Sequence, residues 1–163
     1  MKGTVLGVDP GTKATGFGLV EATPGRPEGT LIECGVIWTD PKQHMWYRLD
    51  TLFEGLMEVI ERHGPSVMAV ETVFYGKNAR SAASLSQARG VILLAAARSG
   101  LDVREFTPAS IKKAITGSGR AGKEQVAYMV QKLLRLESPP SPDDAADGVA
   151  IALTSLMARN HGS

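Results

Sequence analysis

The spacing of apolar residues first changes near residue 44, and that change limits the folds open to this chain. Before it, runs rich in Val, Leu and Ile are cut short by Pro and Gly. Thr4–Asp9, residues 16–22 and residues 31–39 read as strands, the last two joined by the turn-rich residues 23–29. Three neighbouring strands with short links predict an antiparallel meander. After the change, Met45, Leu49, Leu52, Phe53, Leu56 and Ile60 recur at spacings of three and four, which predicts a helix over 44–63. Gly64-Pro65 stops it. The apolar run Val67-Met68-Ala69-Val70 suits a buried strand over 66–71. An Ala-rich helix over 78–99, a strand over Asp102–Phe106 and a helix opened by Thr107-Pro108 follow. A Gly-rich loop over 117–122 leads to helices over 123–136 and 143–159. The expected architecture is α/β: a five-stranded mixed sheet, three antiparallel strands and then two more, flanked by helices. One domain over 1–160 with a short tail over 161–163 accommodates it.

Composition excludes several classes. The 163 residues are 43% hydrophobic and 21% charged, an ordinary globular mix that argues against disorder. The single cysteine, Cys34, rules out an intramolecular disulfide and a cysteine-rich zinc site. No apolar run approaches the roughly 18 residues of a membrane span, and the first residues lack the tripartite pattern of a secretory signal. The cytoplasm is the expected compartment. Charge is unevenly spread. Residues 77–135 hold eleven basic and three acidic side chains, net +8, whereas the remainder holds seven and fourteen, net −7. A basic stretch beside an acidic remainder suits a protein that grips phosphates with one part and a metal with another. Solvated helix faces would produce the same count.

Four carboxylates stand out by position. Asp9 and Glu71 each end an apolar strand, where an acid is costly unless it faces a cation. If those strands are neighbours, both acids emerge at one sheet edge. Asp144 and Asp147 are three apart on a helix and share a face. Oxygen donors without Cys and with few His select Mg²⁺ or Mn²⁺ over zinc. Taken singly each acid has a plainer reading: Asp9 as a turn acid before Pro-Gly, Glu71 as an exposed strand end, and Asp143 and Asp144 as complements to a helix dipole. Asp147 is harder to dismiss, because Ala145, Ala146 and Gly148 around it are small enough to let a backbone approach closely. Asp9-Pro10-Gly11-Thr12 also resembles the phosphate loop of actin-type and sugar-kinase ATPases. Those proteins use two such domains, and this chain is short for both. A nucleotide-binding phosphotransferase and a non-catalytic DNA-binding module stand as alternatives.

Four blocks in register resemble the RuvC family of bacterial Holliday-junction resolvases. They are Leu6-Gly7-Val8-Asp9-Pro10-Gly11-Thr12 with Thr15-Gly16-Phe17-Gly18, then Glu71-Thr72-Val73-Phe74 with Lys77-Asn78, then Ser86-Gln87-Ala88-Arg89-Gly90, and finally Asp144-Ala145-Ala146-Asp147 with Ala150-Ile151-Ala152. The likeness runs from about residue 3 to 158. It implies an RNase-H-like fold, a homodimer, and a four-way DNA junction as substrate. It implies that Asp9, Glu71, Asp144 and Asp147 are the catalytic, metal-binding acids; Asp143 is an extra neighbour. A junction-binding protein and a branch-migration motor are implied as partners. Two cations about 4 Å apart can activate a water and steady the leaving oxygen, which gives 5′-phosphate and 3′-hydroxyl ends. Lys112, Lys113 and Lys123 are candidate phosphate contacts, with Lys112 and Lys123 better matched to the family pattern. Phe74, three residues past Glu71, is a candidate wedge between bases, and Tyr75 and Lys77 are candidate DNA contacts beside it. Ala82, Leu85, Ala88 and Ile92 on the Ala-rich helix are the candidate dimer surface.

Overall fold

A computed structural model describes residues 3–72 and 78–160. The strands are β1 (Thr4–Asp9), β2 (Ala14–Thr23), β3 (Arg26–Trp38), β4 (Val67–Glu71) and β5 (Asp102–Phe106). The helices are α1 (Met45–His63), α2 (Ala79–Arg98), α3 (Pro108–Thr116), α4 (Lys123–Leu133) and α5 (Asp143–Asn160). The sheet order is β3-β2-β1-β4-β5. β1, β2 and β3 form the antiparallel meander, and β4 and β5 add in parallel on the other side of β1. This is the RNase-H-like arrangement that the sequence predicts.

Alternation along the central strands sorts the core into two layers. Val5, Val67 and Ala69 face α3, α4 and α5, with Ile111, Val130, Val149 and Leu153. Leu6, Val8, Met68 and Val70 face α1 and α2, with Leu52, Leu56, Ile92 and Ala95. β1 is buried on both faces up to its last residue. The same two-residue period places Asp9 and Glu71 in line with Val5 and Val67, on the α5 side.

Three boundaries differ from expectation. β2 and β3 extend into residues 23–29 and meet at a tight Pro24-Gly25 turn, with Gly25 at φ +75°. β3 is the sheet edge, where Pro27 is tolerated, and register shifts near Leu19 and Glu21 absorb the irregular residues. α4 ends at Leu133 instead of 136, because Arg135 turns left-handed at φ +55° and Leu136 N–H bonds back to the Gln131 carbonyl at 2.9 Å. Ala88 and Ile92, expected at a dimer surface, are fully buried in the chain's own core and have no area left for a second copy. Ala82 and Leu85 remain partly exposed. Among the described residues no helix is long and apolar enough to cross a membrane.

Candidate active site

Two strand ends and one helix build the site. The parallel pairing of β1 with β4 sets Val8 opposite Val70, so Asp9 and Glu71 emerge side by side at one edge of the sheet. α5 must then come close enough to deliver its own acids. Gly16 on β2 makes this possible: a Cβ there would lie 1.7 Å from the Asp144 carbonyl oxygen. Gly7 on β1 does the same one turn on, with the Gly148 carbonyl 2.2 Å from where its Cβ would be. Small residues on both elements thus let helix backbone rest on strand backbone. Asp144 and Asp147 project from that first stretch of α5.

Asp9, Asp144 and Asp147 converge, each offering a carboxylate oxygen within 4.8 Å of the others. Glu71 stands beside the Asp9 carboxyl, within hydrogen-bonding reach of it, as Asp147 does. Burial, then the charges of Asp147 and Glu71, push the Asp9 carboxyl up to about 8. Burial raises Glu71 too; the bond from Asp9 and the ammonium groups of Lys112 and Lys123 counter it in part. Burial likewise raises Asp147, against the pull of Lys123. Several carboxylates whose charge is held back by one another and by burial make a site short of positive charge. Hard oxygen donors with that deficit fit divalent cations of the Mg²⁺ or Mn²⁺ kind. Asp143 is exposed and lies outside the converging group.

A cleft of about 300 Å³ opens beside the acids, lined among others by Glu71, Lys112, Lys123 and Asp147. Lys112 from α3 and Lys123 from the start of α4 therefore stand at the site. Lys123 Nζ is 3.4 Å from Asp147 Oδ2. Lys113 is exposed and does not line this cleft. Phe74, Tyr75 and Lys77 lie outside the described residues.

The sequence reading missed a role for Arg89. Its Nη1 donates to the Glu71 carbonyl at 2.9 Å, and its Nη2 pairs with Glu105 Oε1 at 2.8 Å. Only 17% of its side chain is exposed. The readable signal was an arginine one residue past Ala88 and three before Ile92, on the inner side of an apolar helix, where a charge needs a partner. Thr72 N–H completes the anchoring by donating to the Phe106 carbonyl at 2.8 Å.

Comparison with known proteins shows the family. The family model "Crossover junction endodeoxyribonuclease RuvC" matches residues 5–155. A protein of that name from Pelotomaculum thermopropionicum is 50% identical over 149 residues, covering 91% of this chain and 90% of the relative. One from Moorella thermoacetica is also 50% identical over 149 residues, covering 91% and 88%. Among solved structures, T. thermophilus RuvC in complex with Holliday junction substrate superposes with a TM-score of 0.91 at 34% identity, covering 98% of this chain and 96% of that one.

Proposed function

This chain belongs to the RuvC family and is an endonuclease that resolves Holliday junctions; we propose that it does so by metal-dependent hydrolysis at Asp9, Glu71, Asp144 and Asp147. The convergence of Asp9, Asp144 and Asp147 at one sheet edge, with Glu71 bonded to Asp9, carries this reading. The four carboxylates would hold two Mg²⁺ or Mn²⁺ ions, which supply an activated water and charge for the leaving oxygen. Asp9 lies beside both Asp147 and Glu71, so these acids would hold metal together.

The remaining chemistry belongs to side chains of the chain itself. Lys112 and Lys123 line the cleft and neutralise the scissile phosphate and its neighbours. Water adds to phosphorus, the bond to the 3′ oxygen breaks, and that oxygen takes up a proton. The products are a 5′-phosphate and a 3′-hydroxyl, with no covalent bond to the enzyme. Phe74, near Glu71 in sequence, is the proposed wedge at the crossover, with Tyr75 and Lys77 beside it.

Paired nicking needs two equivalent sites, which a two-fold dimer supplies. We assign its surface to the outward stripe of α2, where Ala83, Gln87, Gly90, Leu94 and Ala97 are exposed at alternating spacings of four and three. Leu94 is 51% exposed there. Family resemblance adds a junction-binding protein and a branch-migration motor as partners; the lone cysteine fits the cytoplasm as the compartment. The test is incubation of a labelled four-way junction with and without Mg²⁺, and with ATP alone. Symmetric nicks that require Mg²⁺ and ignore ATP support the proposal; ATP turnover without nicking refutes it.

A further inference from the structure

The acids have lysines on one side only, at α3 and α4. On the other side of the Asp9-Pro10-Gly11 turn, toward α2, lies a groove of about 560 Å³. Its walls include Lys13 from the β1–β2 loop and Arg80, Ser81 and Ser84 from the first turns of α2. Lys13 and Arg80 are exposed, and neither forms an ion pair among the described residues. Arg62, Arg89 and Lys123, by contrast, are each held by a carboxylate.

The loop that carries Lys13 is fixed. Thr15 Oγ1 donates to the Gly11 carbonyl at 2.8 Å, Arg48 Nη2 to the Thr12 carbonyl at 2.8 Å, and Thr39 N–H to the Lys13 carbonyl at 3.0 Å. Its main-chain acceptors are thus turned inward and satisfied. Across the groove, Asn78 Oδ1 already accepts from the N–H groups of Arg80 and Ser81 at 3.0 and 3.3 Å. What the groove offers a ligand is therefore side-chain chemistry: two cations and the hydroxyls of Thr12, Ser81 and Ser84. That set suits the oxygens of successive phosphates, which take charge-assisted bonds from Arg and Lys and neutral ones from Ser. Its position decides the class of ligand. Lys13 follows Asp9 by four residues on a rigid loop, so a polyanion crossing Asp9 would run on into it.

We propose that the groove between the β1–β2 loop and α2 grips the phosphodiester backbone of the junction on the side of Asp9 opposite Lys112 and Lys123, through Lys13 and Arg80. This rests on the junction being the substrate. The strand being cut is then held on both sides of the scissile phosphate, which fixes its register over the acids.

The test compares wild type with Lys13→Ala, Arg80→Ala and the double variant. Junction binding is measured without divalent cation over a range of salt, and cleavage under single-turnover conditions at saturating enzyme. Each substitution should lower the log–log salt slope by about 0.9, and the double by about 1.8. Arg98→Ala, about 27 Å away at the other end of α2 by helix rise, should leave the slope unchanged. The cleavage rate at saturation should fall as the register loosens, more in the double variant than in either single one. Melting temperatures should match, since both side chains are exposed. Wild type that binds while the variants keep its affinity and slope contradicts the groove alone. An Arg98→Ala effect equal to that of Arg80→Ala means diffuse charge and also overturns it. Wild type that neither binds nor cuts the junction contradicts the resolvase reading, and the groove with it.

Discussion

Lys123 Nζ lies 3.4 Å from Asp147 Oδ2, so one of the cations facing the cleft is already engaged by a carboxylate. The same ammonium holds Asp147 toward its charged form, and Asp147 in turn raises the lysine. Lys123 therefore competes with a divalent cation for Asp147 until DNA arrives, and then supplies charge to a phosphate. Lys123→Ala should tighten metal binding to the DNA-free protein by up to about fivefold, the worth of an exposed pair. It should slow cleavage at saturating metal. Calorimetric titration with Mn²⁺, alongside single-turnover rates, reads both. Weaker metal binding in the variant would contradict this division of labour.

The acid cluster sets a pH dependence whose sign follows from Asp9. Without a cation its carboxyl is pushed from 3.8 up to about 8. Between those values the folded state keeps a proton that the unfolded state has lost, so stability falls as pH rises. Glu71 and Asp147 are raised and add in the same direction. The melting temperature of metal-free wild type, relative to Asp9→Asn, should drop steadily from pH 5 to pH 8. Added Mg²⁺ should recover it at pH 8 and change little at pH 5. Each kcal/mol corresponds to about 2–4 °C for a chain of this size. A difference that grows more favourable to wild type with rising pH would contradict the assignment.

Gly16→Ala separates the scaffold from the ligands. The new methyl would sit 1.7 Å from the Asp144 carbonyl oxygen, so α5 must back away from β2. Overpacking of this kind costs about 1–3 kcal/mol, and the shift also draws Asp144 and Asp147 away from Asp9. Thermal melts should show the loss, and Mn²⁺ titration should show weaker binding although every acid remains. Full metal affinity in a destabilised variant would mean that the close approach of α5 does not place the acids.

Three of the acids were legible in the sequence because each breaks a local pattern. Asp9 and Glu71 end apolar strands, and Asp147 interrupts a run of small residues. What joins them was not legible, since the β1–β4 pairing that sets Asp9 beside Glu71 is a contact between residues some sixty apart in the chain. The surfaces of α2 were misread for a related reason. Ala and Gly there are small on every side, so periodicity alone does not tell the buried Ala88 and Ile92 from the exposed Gly90 and Leu94. Residues 26–29 look like a turn by composition, yet they belong to an edge strand that tolerates Pro and Gly. Arg89 was hidden because its partners, the Glu71 carbonyl and Glu105, come from two other strands.

Arg89 offers a test of positioning without contact with the substrate. Arg89→Met keeps the apolar stem but releases the Glu71 carbonyl and leaves Glu105 unpaired. Cleavage at saturating metal should fall by about 10–100-fold, as for groups that orient a metal ligand, while junction affinity stays unchanged. Arg89→Lys should recover little, because one ammonium does not reproduce the two-pronged contact. Equal losses of affinity and rate in Arg89→Met would instead make Arg89 a DNA contact.

The most direct measurement is cleavage of an end-labelled four-way junction by wild type and Asp9→Asn across a Mg²⁺ titration, without ATP. Wild type should place symmetric nicks in opposing strands, sealable by DNA ligase because the ends are 5′-phosphate and 3′-hydroxyl, and should leave linear duplex of the same sequence uncut. Asp9→Asn should bind the junction with near wild-type affinity and lose cleavage beyond the roughly 10–100-fold range of orienting groups. Cleavage by Asp9→Asn at the wild-type rate, or by wild type without any divalent cation, would contradict metal-dependent hydrolysis at this cluster.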